Sequence, residues 1–207
     1  MQAVAQLRLG RREGDMTFAP AGAQAPVHEE SLGDGYLGDV PKPLNLPFDP
    51  IERAAQRWEQ TWGSASAMRV ATSIMRAQQI LLARYDELLK PHGLTFARYE
   101  VLVLLRFSRY GALPLGRIGE RLMVHPTSVT NSIDRLERAG FVERRPNPRD
   151  GRGTLAAITE SGLAVVEAAT SDLMAADFGL ECLGEKSRDD VVAGLTRLRQ
   201  DAGDFTG

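Results

Sequence analysis

The side chains best suited to chemistry gather in one stretch of the sequence. Between Pro126 and Arg138, the residues Thr127, Ser128, Thr130, Asn131, Asp134 and Arg135 fall on one side of a helical wheel, opposite Val129, Ile133 and Leu136. Hydroxyls can donate to phosphates or base edges, an asparagine amide can pair bidentately with adenine, and a guanidinium can pair with guanine or a phosphate. Such a face on its own would read as ordinary solvated surface. Further along, however, Arg149, Asp150 and Arg152 lie in a turn-rich loop from Asn147 to Gly153. There the carboxylate can hold the Arg152 guanidinium, and a basic loop tip can reach into a minor groove.

Catalytic chemistry finds little support. There is no nucleophile elbow, no glycine loop to cradle a phosphate and no cluster of histidines with carboxylates. His28, His92 and His125 are scattered, so neither a metal nor a cofactor is expected. His125 immediately precedes Pro126 and can help cap the helix that starts there or touch a phosphate. The single cysteine, Cys182, excludes an internal disulfide and fits a reducing, cytoplasmic setting. The neighbouring acids Glu181 and Glu185 disfavour a thiolate at Cys182, which argues against oxidant sensing. No apolar run reaches the roughly 18 residues of a membrane span, and no secretion signal is evident, so no membrane partner is expected.

The overall net charge of −2 conceals an uneven distribution. From Arg98 to Arg152 there are eleven arginines against six acids, a local net of +5 that leaves −7 for the rest. A basic middle between acidic ends is what a sub-region facing phosphate would show. With 207 residues, 43% of them hydrophobic, the chain suits one ordinary domain with a tail.

The elements that must position these residues are mostly helical. Residues 1–46 are rich in Gly, Pro and Ala and carry no sustained period, which predicts a disordered tail; Met16 is an alternative start. An additional N-terminal helix is expected within 47–64, capped by Asp49 with Pro50 at its first position and ending near Trp62. A long helix then runs from Ser64 or Ser66 to about Lys90, with Val70, Ile74, Leu81 and Leu88 on its apolar side. Thr95 is expected to cap a helix to about Ser108, and Gly111 to Pro114 breaks the chain. Two short helices follow, Leu115–Met123 and Pro126–Arg138, the second closed by Gly140. Phe141–Arg145 and Thr154–Ile158 read as the strands of a hairpin. Helices over Thr159–Phe178 and Ser187–Asp201 finish the chain, the last with Val191, Val192, Leu195 and Leu198 on one side. Two short helices followed at once by a basic hairpin make a winged helix-turn-helix, a mainly α fold with a small β-hairpin wing and an α-helical dimerisation region, whose second helix enters a major groove.

These residues resemble the multiple antibiotic resistance regulator (MarR) family. The likeness is carried by Pro126–Asn131, by the run Asp134-Arg135-Leu136-Glu137-Arg138-Ala139-Gly140-Phe141-Val142-Glu143-Arg144-Arg145, and by Asp150-Gly151-Arg152 followed by Leu155, Ile158 and Thr159. It covers about residues 65–203, with a DNA-binding lobe near 95–159 and dimerisation helices over 65–91 and 160–203. The resemblance implies a homodimer on a palindromic double-stranded operator and a repressor released by a small-molecule effector. Pro126, Thr127, Ser128, Thr130, Asn131 and Arg135 would meet the major groove or its phosphates. Arg149 and Arg152 would belong to the wing, with Asp150 orienting Arg152. The added N-terminal helix resembles that of the urate-responsive branch, which implies effector contacts from Trp58, from Glu100 in place of an aspartate, and from Arg144. A second arginine of that branch falls on Ser132, so the implied effector is a different small anionic aromatic molecule, a phenolic acid or another purine. Trp62 is read as docking the added helix on the core. A competing reading is a winged helix that acts through protein contacts or non-specific DNA binding without a ligand.

Overall fold

The computed structural model describes residues 45–148 and 153–206. The expected tail lies outside these except for its last two residues, and so do Arg149, Asp150 and Arg152 of the loop.

Helix α1 (Pro50–Trp62) begins as its sequence dictates: Asp49 Oδ1 accepts from the backbone N–H of Ile51 at 2.8 Å and of Glu52 at 3.4 Å, and Pro50 occupies the first turn. It packs on α2 (Ser66–Leu89), with Ala55 and Ala65 buried between them and Arg69 paired to Glu52 at 2.7 Å. The serines expected to cap α2 do not occupy its N-cap. Buried Ala65 does, and Ser64 Oγ merely accepts from the Ser66 N–H at 3.4 Å. Trp62 corrects a second expectation. It is 72% exposed and meets Trp58 edge-on, with ring centroids 4.7 Å apart, instead of docking on the core.

Only the C-terminal part of α2 enters the core. Tyr85 and Leu89 are buried and Leu81 and Leu88 pack beside them, whereas Val70, Met75 and Ile80 are exposed. A turn at Lys90–His92 leads to α3 (Phe96–Arg106), which ends two residues before the expected Ser108. Thr95 stands at its N-cap, but the Thr95 hydroxyl accepts from Arg98 Nε at 3.1 Å. The capping acceptor is Asp86 Oδ1 of α2, which takes the Phe96 N–H at 2.7 Å.

The stretch read as a simple break contains a strand, β1 (Ala112–Pro114). It pairs antiparallel with β3 (Thr154–Ile158), Ala112 opposite Ala157, and β3 pairs on its other side with β2 (Val142–Pro146), Val142 opposite Ile158. The sheet order is therefore β1-β3-β2. Between β1 and β2 lie α4 (Leu115–Leu122) and α5 (Pro126–Arg138). Helix α6 (Glu160–Ala175) starts on the Thr159 cap and stops short of Phe178, because Asp177 and Phe178 take left-handed backbone angles with φ of 48° and 50°. Helix α7 (Glu185–Asp201) ends the described fold.

Leu89, Leu102, Leu105, Ile118, Val129, Ile133, Leu136, Val142 and Leu173 are buried in one contiguous core joining α2 through α6 and the sheet. The molecule is mainly helical with a small antiparallel sheet, the winged helix-turn-helix architecture expected. None of its described helices is long and apolar enough to cross a membrane, and no group of acids, histidines and cysteine among the described residues could hold a metal ion.

Candidate nucleic-acid interface

Helix α5 is set by its buried stripe. Val129, Ile133 and Leu136 are buried against α3 and α4, which forces the opposite face outward. Thr127, Ser128, Thr130 and Asn131 are accordingly exposed, together with Pro126 at the first helical position. His125 closes the end of the helix: its Nδ1 accepts from the Thr127 N–H at 3.3 Å. The Thr130 hydroxyl donates to the Pro126 carbonyl at 3.1 Å, which leaves its oxygen lone pairs outward as acceptors. The exposed amino end of α5 also carries the positive end of the helix dipole, which favours phosphate.

The turn between α4 and α5 is tight. Met123 takes the left-handed conformation, φ 53°, and the Val124 N–H returns to the Gly119 carbonyl at 3.1 Å. After α5 the chain reverses at Gly140, φ 76°, a conformation that favours glycine, and the Phe141 N–H donates to the Leu136 carbonyl at 2.9 Å. The hairpin then runs up β2 and down β3, and the Asn147 N–H meets the Gly153 carbonyl at 3.0 Å across the loop.

Helix and hairpin are joined by Arg144 of β2. Its backbone N–H donates to Glu137 Oε1 at 3.2 Å, and its guanidinium pairs with both Glu137 and Asp134. Those charge-assisted bonds hold the Arg144 pKa above its ordinary value. Asp134, placed by periodicity on the outward reading face, therefore serves the joint instead. The i,i+3 spacing of Asp134 and Glu137 was the sequence signal for two acids on one helix side.

The positive charge expected in this region is real at the surface. Arg121 and Arg138 are exposed and pair with no acid among the described residues. Arg135 is half-buried, and its charge, second to burial, lowers the Arg98 pKa across the α3–α5 contact.

The three residues linked to an effector have different surroundings. Trp58 is half-buried on α1 against Trp62, and Arg144 is committed to two carboxylates. Glu100 is half-buried on α3, where burial pushes its carboxyl above the usual range. Cys182 is exposed in the link between α6 and α7.

The start of α6 is stitched to the end of the recognition unit. The Thr159 and Ser161 hydroxyls donate to the Gly140 carbonyl at 2.7 and 2.8 Å, and Thr159 Oγ1 caps the Gly162 N–H at 3.0 Å.

With this geometry in view, comparison with known proteins is specific. Residues 94–154 match the model of the MarR family, a span running from the start of α3 through the hairpin loop. A MarR family transcriptional regulator of Streptomyces coelicolor, Sco5413, is 59% identical with a TM-score of 0.65, the match covering 70% of this chain and all of that one. A MarR variant of Escherichia coli, solved in complex with operator DNA, is 26% identical with a TM-score of 0.59, over 65% of this chain and 96% of that one. The HTH-type transcriptional regulator MhqR of Bacillus subtilis is 29% identical over 100 residues, 48% of this chain and 68% of the relative. Two further curated relatives are matched over about half of their own length, 49%. An exposed polar helix, a hairpin clamped to it and likeness over the whole length of a solved regulator agree: the chain belongs to the MarR family of DNA-binding transcriptional regulators.

Proposed function

We propose that the chain is a homodimeric repressor that binds a palindromic operator and is released from it by a small anionic aromatic effector, a phenolic acid or a purine. In this reading Pro126, Thr127, Ser128, Thr130 and Asn131 meet the major groove, Arg135 a phosphate or base edge, and Arg149 and Arg152 the minor groove, with Asp150 orienting Arg152. The observation that carries it is the exposure of the Thr127–Asn131 face on a helix whose opposite stripe is buried and whose far end is clamped to the hairpin by Arg144.

Dimerisation is supported by uncovered apolar surface. Val191, Val192, Leu195 and Leu198 of α7 are exposed, as are Val70, Met75 and Ile80 of α2, which is what two self-complementary helices leave bare in a single chain. Two recognition helices on a twofold axis read half-sites about one helical turn apart.

The effector acts, in this account, at Trp58, Glu100 and Arg144. An anion that reaches Arg144 competes with Asp134 and Glu137 for its guanidinium, and so works directly on the joint between α5 and β2. The stitch from Gly140 to Thr159 and Ser161 passes a movement of that joint to α6. Repression and release then require only that the two dimer shapes differ in effector affinity by about 1–3 kcal/mol.

A gel-shift titration at fixed salt tests the repressor reading. A palindromic fragment from upstream of the gene should be retained at nanomolar dimer, and failure to retain any such fragment counts against it. Arg152→Ala separates it from a non-specific or protein-contact role, because a sequence reader loses operator affinity far more than dimer affinity.

A further inference from the structure

Helix α7 has no buried residue among its 17. Val191, Val192, Leu195 and Leu198, spaced to share one side, are 36–62% exposed. Helices in proteins owe most of their stability to packing of an apolar face, and among the described residues no other element packs extensively along this one. Its first turn, by contrast, is held.

Arg188, in that turn, spends its whole guanidinium on the corner between α6 and α7. Nη1 donates to Asp177 Oδ1 at 3.0 Å and Nη2 to Asp177 Oδ2. Nη2 also donates to the Leu180 carbonyl at 2.9 Å, and Nε to the Leu183 carbonyl at 2.8 Å. The corner that receives these bonds is itself held to α2: the Tyr85 hydroxyl donates to the Phe178 carbonyl at 3.0 Å, and Arg84 pairs with Glu181. Asp177 and Phe178 keep left-handed backbone angles there, which any L residue other than glycine adopts at a cost unless its neighbours hold it.

We propose that Arg188 is a positioning residue for assembly: its clasp on Asp177, Leu180 and Leu183 sets the direction in which α7 leaves α6, so that the apolar face of α7 meets a second copy of this chain. The inference rests on the homodimer reading given above. A second copy is the fitting occupant because the corner is tied to α2, whose Val70, Met75 and Ile80 are also uncovered. The clasp thus holds two apolar surfaces of one chain in a fixed relation, as a twofold interface that meets itself requires. Arginine suits the task through its planar fork, which fixes direction where a lysine ammonium would only supply charge.

The test is the monomer–dimer dissociation constant of the full chain, measured by sedimentation for the wild type, Arg188→Ala, Arg188→Lys, Asp177→Asn and Leu195→Asp. The wild type is expected to be dimeric and Leu195→Asp monomeric. Arg188→Ala should weaken the dimer about tenfold or more, since two clasps are lost per dimer. Arg188→Lys should fall between the two, and Asp177→Asn, which tolerates the left-handed backbone, should weaken the dimer in the same direction. In the monomeric Leu195→Asp background, adding Arg188→Ala should leave the melting of the DNA-binding lobe unchanged. A dissociation constant for Arg188→Ala within about twofold of wild type, while Leu195→Asp dissociates, overturns the clasp alone. Loss of lobe stability in the monomeric background overturns positioning in favour of a merely structural role. A monomeric wild type, or a dimer that survives Leu195→Asp, overturns the assembly reading and the clasp with it.

Discussion

Glu137 of α5 holds Arg144 of β2 twice, accepting from its backbone N–H at 3.2 Å through Oε1 and pairing with its guanidinium through Oε2. One acid on the recognition helix thereby fixes both the start of the hairpin and the side chain that crosses to it. The wing is aimed from the helix that it accompanies, and a disturbance of Arg144 reaches both reading elements together.

Removing that acid should be costly for a partly exposed pair. Glu137→Ala is expected to lower unfolding free energy by about 1–2 kcal/mol, because a backbone donor and a half-buried guanidinium both lose an acceptor. Glu143→Ala, which breaks only the surface pair with Arg145, should stay within about 0.5 kcal/mol of wild type. Urea unfolding of the two variants checks the contrast.

Gly162 lies where α6 presses on the end of α5. A Cβ built there would overlap the Phe141 carbonyl and stand 2.9 Å from Ile158 Cγ1. Backbone and a packed branched side chain cannot both yield, so Gly162→Ala should destabilise the fold by about 3 kcal/mol despite alanine's better helix propensity. A raised melting temperature for this variant would show that the contact is looser than described.

The cap of α3 comes from another helix. Asp86→Ala should cost about 1 kcal/mol through loss of the bond to the Phe96 N–H, and Thr95→Ala should cost less, since its hydroxyl serves only Arg98. Equal losses in denaturant titrations would return the capping role to Thr95.

Glu100 gives a pH dependence of defined sign. Burial raises its folded-state pKa above the unfolded value of about 4.3. Charging it then costs stability: nothing below the unfolded value, more as pH climbs toward the folded one, and a constant amount above that. Glu100→Gln should therefore be more stable than wild type at neutral pH, with the gap closing in acid. A gap that widened on acidification would contradict this assignment.

Much of this molecule was legible because its periodic segments are long and their stops explicit. Asp49-Pro50 announces α1, Gly140 ends α5, and Val129, Ile133 and Leu136 fix which side of α5 faces out. What escaped the sequence depends on partners distant along the chain. Ala112–Pro114 becomes a strand only because β3 returns to pair with it, and Asp86 caps a helix that starts ten residues later. Asp134 looked outward by periodicity, yet Arg144 draws it into the joint. Trp62 looked like a core anchor, yet the ring stays exposed beside Trp58.

Effector binding should register as thermal stabilisation of the full chain, since a ligand that binds only the folded dimer raises its melting point by mass action. Phenolic acids and purines are expected to shift the wild type and to lose that shift in Trp58→Ala. An equal shift in both would remove Trp58 from the effector site.

Whether α5 and the hairpin loop read one duplex together is decided by selecting binders from a random pool of duplexes with the full chain at fixed salt. A twofold-symmetric motif with half-sites about 10 base pairs apart should be enriched, and lost with Asn131→Ala while the dimer persists. Enrichment of no motif by an intact dimer, or a motif unchanged by Asn131→Ala and Arg152→Ala alike, would show that helix and loop do not read sequence.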